Sequence, residues 1–255
     1  MTQLLDYPLA LFGLSALTLW LATRLGASVI RKKIHLSPDA RDDFSTILVT
    51  TLTLNGLIIG FSFSMAINRY EQRKNYEEAE ANAIGTEYSR ANLLPSGDVD
   101  NVQSLLREYL DLRVSYYTAR DENQLRQINT RTAESQSALW SAVSAAAAAH
   151  PTPIVALAVA GMNDVLNSQG YTQAAWWNRI PVGAWILMAT IALTSHLLLG
   201  YGAQNVKAES ILFVVLPFVF AVSFLLIADI DSPRSGIIRV RPQNLISLAA
   251  SLRAH

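Results

Sequence analysis

An all-α fold built around four membrane-crossing helices is what this sequence predicts, and three observations predict it. Four long stretches carry no charged residue: 7–23, 44–68, 180–206 and 210–228. The charges gather into blocks between and beside them. No stretch alternates convincingly between apolar and polar residues, so no sheet is expected. The chain has 255 residues, 51% of them hydrophobic, and a formal net charge of zero. That neutrality, with no dense basic patch, gives no reason to expect a nucleic-acid partner. The absence of cysteine excludes disulfides and zinc–thiolate sites. No nucleophile–base pair, phosphate loop or metalloprotease motif is present, so the chain reads as a non-enzyme with no catalytic residue, cofactor or bound metal.

The first run, 7–23, is 17 residues long, at the short end for a span. A signal peptide would begin with basic residues, whereas here Asp6 precedes the run and Arg24, Arg31, Lys32 and Lys33 follow it. A retained first span is therefore expected. Ser37-Pro38-Asp39 reads as a turn before the second span. That span, Phe44 to Asn68, has 25 uncharged residues. At about 1.5 Å per residue it reaches roughly 37 Å, enough to cross a bilayer with some tilt. It holds more hydroxyl and amide groups than an anchor requires: Thr46, Thr50, Thr51, Thr53, Asn55, Ser62 and Ser64. It then continues into a charged helical pattern with no proline.

Residues 69–179 form a helical extramembrane block with ten basic and thirteen acidic side chains. Leu93-Leu94-Pro95-Ser96-Gly97 ends its first helix. Val102, Leu105, Leu106, Tyr109, Leu110, Val114 and Tyr117 make an apolar stripe at helical spacing in the next. A third helix runs from Asp121 into the alanine run 145–149 and stops at His150-Pro151-Thr152-Pro153. A fourth covers Ile154 to Asn167. The spans 180–206 and 210–228 form an antiparallel pair, since their connection is short. Trp176, Trp177 and Trp185 near one end and Tyr201 near the other suit the two membrane interfaces, and Pro217 is expected to kink the last helix. Residues 229–255 are read as a tail ending in a weakly amphipathic segment around Leu245, Leu248 and Leu252.

Four spans place both termini and the block on one side of the membrane. Six basic residues border the spans on one side and seven on the other, so charge balance assigns no orientation. The first span alone predicts the Arg31-Lys32-Lys33 loop inside and the block outside.

Thr50, Thr53, Leu57, Phe61, Ser64 and Asn68 fall on one side of the second span. In a ring of subunits they would line a pore with an apolar neck at Leu57 and Phe61, a constriction able to gate by dewetting. Gly56-x-x-x-Gly60-x-x-x-Ser64 reads equally as a small-residue stripe for close helix packing. At the exit, Arg69, Glu71, Arg73, Glu77 and Glu80 read as a charged ring around the path, or Glu77 and Glu80 could share a cation such as calcium with Asp229 and Asp231, or the cluster is a solvated face with internal ion pairs. The last is the expected one. Asp229 and Asp231 are expected to cap and turn the chain. His196 is expected to bond a neighbouring helix rather than to handle protons.

Gly60-Phe61, Ser64 and Arg69-Tyr70 resemble the exit of the pore helix in bestrophins, with Asn68 where that family has an acidic residue. Asp231-Ser-Pro233-Arg-Ser-Gly236 is similar to the acidic-Pro-Phe-Gly turn after the last bestrophin membrane helix, without its Phe. The strings GFSFSMAINRY and EEAEANAIGTEYSRANLLP resemble more closely a bacterial bestrophin-like family of unknown function, from about Leu52 onward. The resemblance implies an oligomeric ion channel in the bacterial inner membrane, multi-pass, with a cytoplasmic helical block. A homo-oligomeric ring, pentameric by that resemblance, would conduct inorganic ions, anions among them, across the lipid bilayer. The alternative is a non-conducting scaffold or sensor whose block binds a partner.

Overall fold

The structure is a computed structural model that describes residues 6–33, 37, 40–203 and 211–254. Pro38 and Asp39 of the expected turn, the end of the third run and the link through Lys207 and Glu209 lie outside the described residues. Among the described residues there is no strand. Four helical stretches are long and apolar enough to cross a membrane: Pro8–Lys33, Ala40–Leu93, Pro153–Gly202 and Phe213–Asp231. The chain divides into two compact units, Met1–Arg69 with Arg179–Ile238, and Tyr70–Asn178 with Arg239–His255.

The first unit contains α1 (Pro8–Leu25), the first part of α2 (Ala40–Arg90), α6 (Val182–Gly202) and α7 (Leu212–Asp231). Pro8 opens α1 where its missing N–H is no loss. After Leu25 the helix widens into a π-helical turn at Gly26–Ile30 and closes as Arg31–Lys33. This turn lies where α1 meets α6. A Cβ on Gly26 would sit 2.2 Å from the Leu197 carbonyl oxygen, and one on Gly200 would sit 1.9 Å from that of Thr23. Two backbones therefore touch at a point only glycine permits. Phe213, Phe220, Phe224 and Ile227 of α7 are buried. Pro217 lies inside α7, which continues through it.

The end of α7 is tied into a turn. Asp231 accepts from the Ile180 N–H at 3.1 Å, and Asp229 accepts from the Ile237 and Ile238 N–H groups at 2.7 and 2.8 Å. A Cβ on Gly236 would lie 2.2 Å from the Asp229 carbonyl oxygen. Carboxylates at a helix C-terminus oppose the helix dipole, and these amide donors offset that cost. Arg179 closes the region, pairing with Asp6 at 2.6 Å and donating to the Ser232 hydroxyl at 3.0 Å. His196 is fully buried. Its Nδ1 lies 2.7 Å from the Ala192 carbonyl oxygen of its own helix, and among the described residues it has no hydrogen bond to a neighbouring one, while its ring stands edge-on to Phe220.

The second unit holds the extension of α2 from Tyr70, then α3 (Ser96–Thr118), α4 (Glu122–Ala149), α5 (Pro153–Trp177) and α8 (Gln243–Ala254). Asp121 caps α4 by accepting from the Gln124 N–H at 2.9 Å, and Thr152 caps α5 by accepting from that of Val155 at 3.3 Å. The core joins Ile84, Val102, Leu106, Tyr109, Leu139, Val143, Met162 and Val165. Each such side chain stabilises the fold by about 1.5–3 kcal/mol.

Two expectations change here. Residues 229–255 are not one tail, because Leu245 of α8 is fully buried in this core. Trp176 is not an interface anchor, because it is buried edge-on to Tyr116 and Tyr117 at 5.3 and 5.4 Å.

Candidate functional site: the helix from Ala40 to Arg90

Within the first unit α2 is covered along one line and bare along another. Asn55, Ser62 and Ala66 are buried. At about 100° per residue they span an arc of roughly 40°. Thr50, Thr53, Leu57, Phe61, Ser64 and Asn68 are exposed, Leu57 at 53% and Phe61 at 65%. They share an arc of roughly 80° centred about 160° from the buried line. Gly56 and Gly60 are exposed too, and a Cβ on either would meet nothing within 4 Å. Among the described residues, therefore, nothing packs against Gly56 and Gly60 of the small-residue stripe.

The threonines need no neighbour. The Thr50, Thr51 and Thr53 hydroxyls donate to the carbonyl oxygens four residues back, at 2.7, 2.7 and 2.9 Å. Only 6% of the most apolar window of this helix is buried within the chain, against 50% for α7. Asn55 differs: it is fully buried, and neither amide atom has a partner among the described residues.

In the second unit the expected solvated face is corrected. Arg73, Glu77 and Glu80 are buried and bonded, at spacings of four and three residues that form one helical seam. Arg73 Nε donates to the Ala175 carbonyl oxygen at 3.2 Å and Nη2 to that of Asn178 at 3.3 Å, so a cation meets the C-terminus of α5. Glu77 does the converse at the N-terminus of α8. One of its oxygens accepts from the Asn244 and Leu245 N–H groups at 2.9 and 3.0 Å, and the other from the Asn244 amide at 2.7 Å.

Glu80 accepts from Arg113 Nε, from the Thr172 hydroxyl at 3.1 Å and from the Tyr117 hydroxyl at 3.4 Å. Burial, and then the Glu80 charge, push the Tyr117 phenol above its ordinary range. The Arg113 guanidinium lies 4.5 Å from the Tyr116 ring centre. Arg69 is half-buried and Glu71 exposed, and neither has an ion pair among the described residues.

Sequence reasoning missed Arg113, although a signal was there. It stands four residues after Tyr109, on the apolar stripe of α3, where an unpaired arginine would be costly. No group of three or more metal-ligating side chains occurs among the described residues. Glu77, Asp229 and Asp231 each accept hydrogen bonds from amide N–H donors.

Fold and site together define a helical membrane protein that leaves one face of its most hydroxyl-rich span uncovered. The chain belongs to the bestrophin-like family: the model of the Bestrophin-like domain matches residues 9–245. No curated protein matches it. Among solved structures it is similar to a bacterial bestrophin homologue from Klebsiella pneumoniae. One structure, phased on zinc, has 14% identity and a TM-score of 0.64, with 94% of this chain and 97% of that chain covered. A tryptophan-to-alanine form has 12% identity and a TM-score of 0.69, with 96% and 95% covered. At this identity the likeness establishes the fold.

Proposed function

We propose that the protein is a homo-oligomeric ion channel whose conducting path runs along the bare face of α2. The observation that carries this reading is the stripe Thr50, Thr53, Leu57, Phe61, Ser64 and Asn68. It joins polar groups to two large apolar side chains, is exposed in the single chain, and lies on a helix long enough to span a membrane. A bare apolar helix is acceptable toward lipid, but a face bearing Ser64 and Asn68 is better matched to water in a shared lumen.

In a ring of subunits, five by the bestrophin resemblance, Leu57 and Phe61 form the neck. Gly56 and Gly60, beside that line, admit the neighbouring subunit closely. The protein then sits as a multi-pass protein of the bacterial inner membrane, with the lipid bilayer, its own copies and inorganic ions as its partners. Anions are the first ions to test.

Native mass measurement of the detergent-purified protein should give a closed oligomer. Liposomes containing it should pass chloride or a monovalent cation, and Phe61→Ala should raise the flux severalfold. A monomer, or no flux with any ion, refutes the channel and leaves a membrane scaffold.

A further inference from the structure

Glu87, on the extension of α2, is fully buried, and neither carboxylate oxygen has a hydrogen-bond partner among the described residues. The other buried acids of this seam differ, since Glu77 holds three N–H donors and Glu80 an arginine and two hydroxyls. Glu87 lies against α5 where the backbone makes room for it: a Cβ on Gly161 would stand 2.0 Å from Oε2. The charged groups that bear on it are Arg90, on its own helix, and Asp164, on α5. Burial opposes its ionisation most, Arg90 favours it and Asp164 opposes it, so the carboxyl is pushed up from 4.5 to about 8. Neither oxygen accepts a hydrogen bond from a described residue in this packing, which suits a neutral acid; the cation beside it is Arg90, whose Nη1 would stand 2.6 Å from the same Cβ on Gly161.

We propose that Glu87 is a proton-operated latch between α2 and α5: neutral, it lies packed on Gly161, and loss of its proton to solvent releases that contact. Its regulatory consequence rests on the channel reading, because α2 is also the conducting helix there; the latch itself does not. The sign follows from linkage. The folded protein holds this proton more tightly than the unfolded chain does, so the packed state is favoured at low pH. That advantage declines as pH rises above about 4.5 and is gone above about 8.

The chain has no cysteine, so a single reporter thiol can replace Met162, which is fully buried beside Gly161. Maleimide labelling of full-length Met162→Cys is measured across neutral to alkaline pH and divided by the rate for Met162→Cys/Glu87→Gln, which cancels the titration of the thiol itself. The ratio should rise about tenfold with a midpoint near 8. A flat ratio overturns the latch. Should the glutamine variant fail to fold, Asp164→Asn added to Met162→Cys should lower the midpoint of labelling, and an unmoved midpoint overturns it equally. Liposome flux on the same proteins separates the two claims. A rising ratio without flux at any pH keeps the latch and removes the channel, whereas flux with a flat ratio does the reverse.

Discussion

Two stretches of one helix treat polarity in opposite ways. Along 44–68, α2 has no charge, and the chain leaves Leu57 and Phe61 bare while covering Asn55 and Ser62. Along 70–90 it is crowded with charge, and the chain buries Arg73, Glu77, Glu80 and Glu87. Hydropathy alone would predict the reverse in water, with the charges outside. The difference teaches that covering follows available partners. Arg73 and Glu77 meet the ends of two other helices, and Glu80 meets Arg113, so these three burials are compensated, whereas Glu87 and Asn55 are buried with no hydrogen-bond partner among the described residues. Among the described residues the membrane stretch has no such partners on its Leu57–Phe61 side.

The largest effect should come from breaking a compensated burial. Glu80→Ala leaves Arg113 charged, fully buried and without its carboxylate, and should destabilise the second unit by about 3–5 kcal/mol. Thermal unfolding of the purified protein measures it. Glu80→Leu with Arg113→Met should restore most of the loss. If both changes destabilise alike, the pair is not what holds α2 to α3. Next comes the close approach of α1 and α6. Gly200→Ala forces a methyl onto the Thr23 carbonyl and should lower stability by about 1–3 kcal/mol, seen as a lower unfolding midpoint in detergent.

How much of this was legible beforehand follows the same division. The uncharged runs report the spans because a bilayer tolerates few charges, and the stripe Thr50 to Asn68 could be drawn from helical spacing alone. The seam could not. Arg73, Glu77 and Glu80 look like a solvated face until α5, α8 and Arg113 are in place, and those partners lie 102, 167 and 33 residues away in sequence. The amphipathic segment at Leu245 was visible too, but not that Glu77 would cap it. Local pattern records which face differs from the rest; it does not record what that face meets.

Glu77→Ala should act through that cap. It removes the acceptor for the Asn244 and Leu245 amides and should cost about 1–2 kcal/mol. Limited proteolysis should then release the Gln243–Ala254 helix faster, with the rest of the second unit intact. Loss of the whole unit at the same rate would show that α8 is integral to its core rather than held by the cap.

The smallest effect on stability sharpens the comparison most. Phe61 is 65% exposed, so Phe61→Ala removes no packing from the chain itself and should shift its stability by no more than about 0.5 kcal/mol. In a ring whose lumen it lines, that remains true of the assembled protein, and only flux changes. In a ring where Phe61 is buried against a neighbouring subunit, the assembly should lose about 3–5 kcal/mol per site, as a core phenylalanine does. The unfolding midpoint of the intact oligomer therefore distinguishes a side chain facing water from one facing protein, independently of any conductance. A loss comparable with that of Glu80→Ala would move Phe61 off the conducting path and leave Ser64 and Asn68 without the neck between them and Thr53.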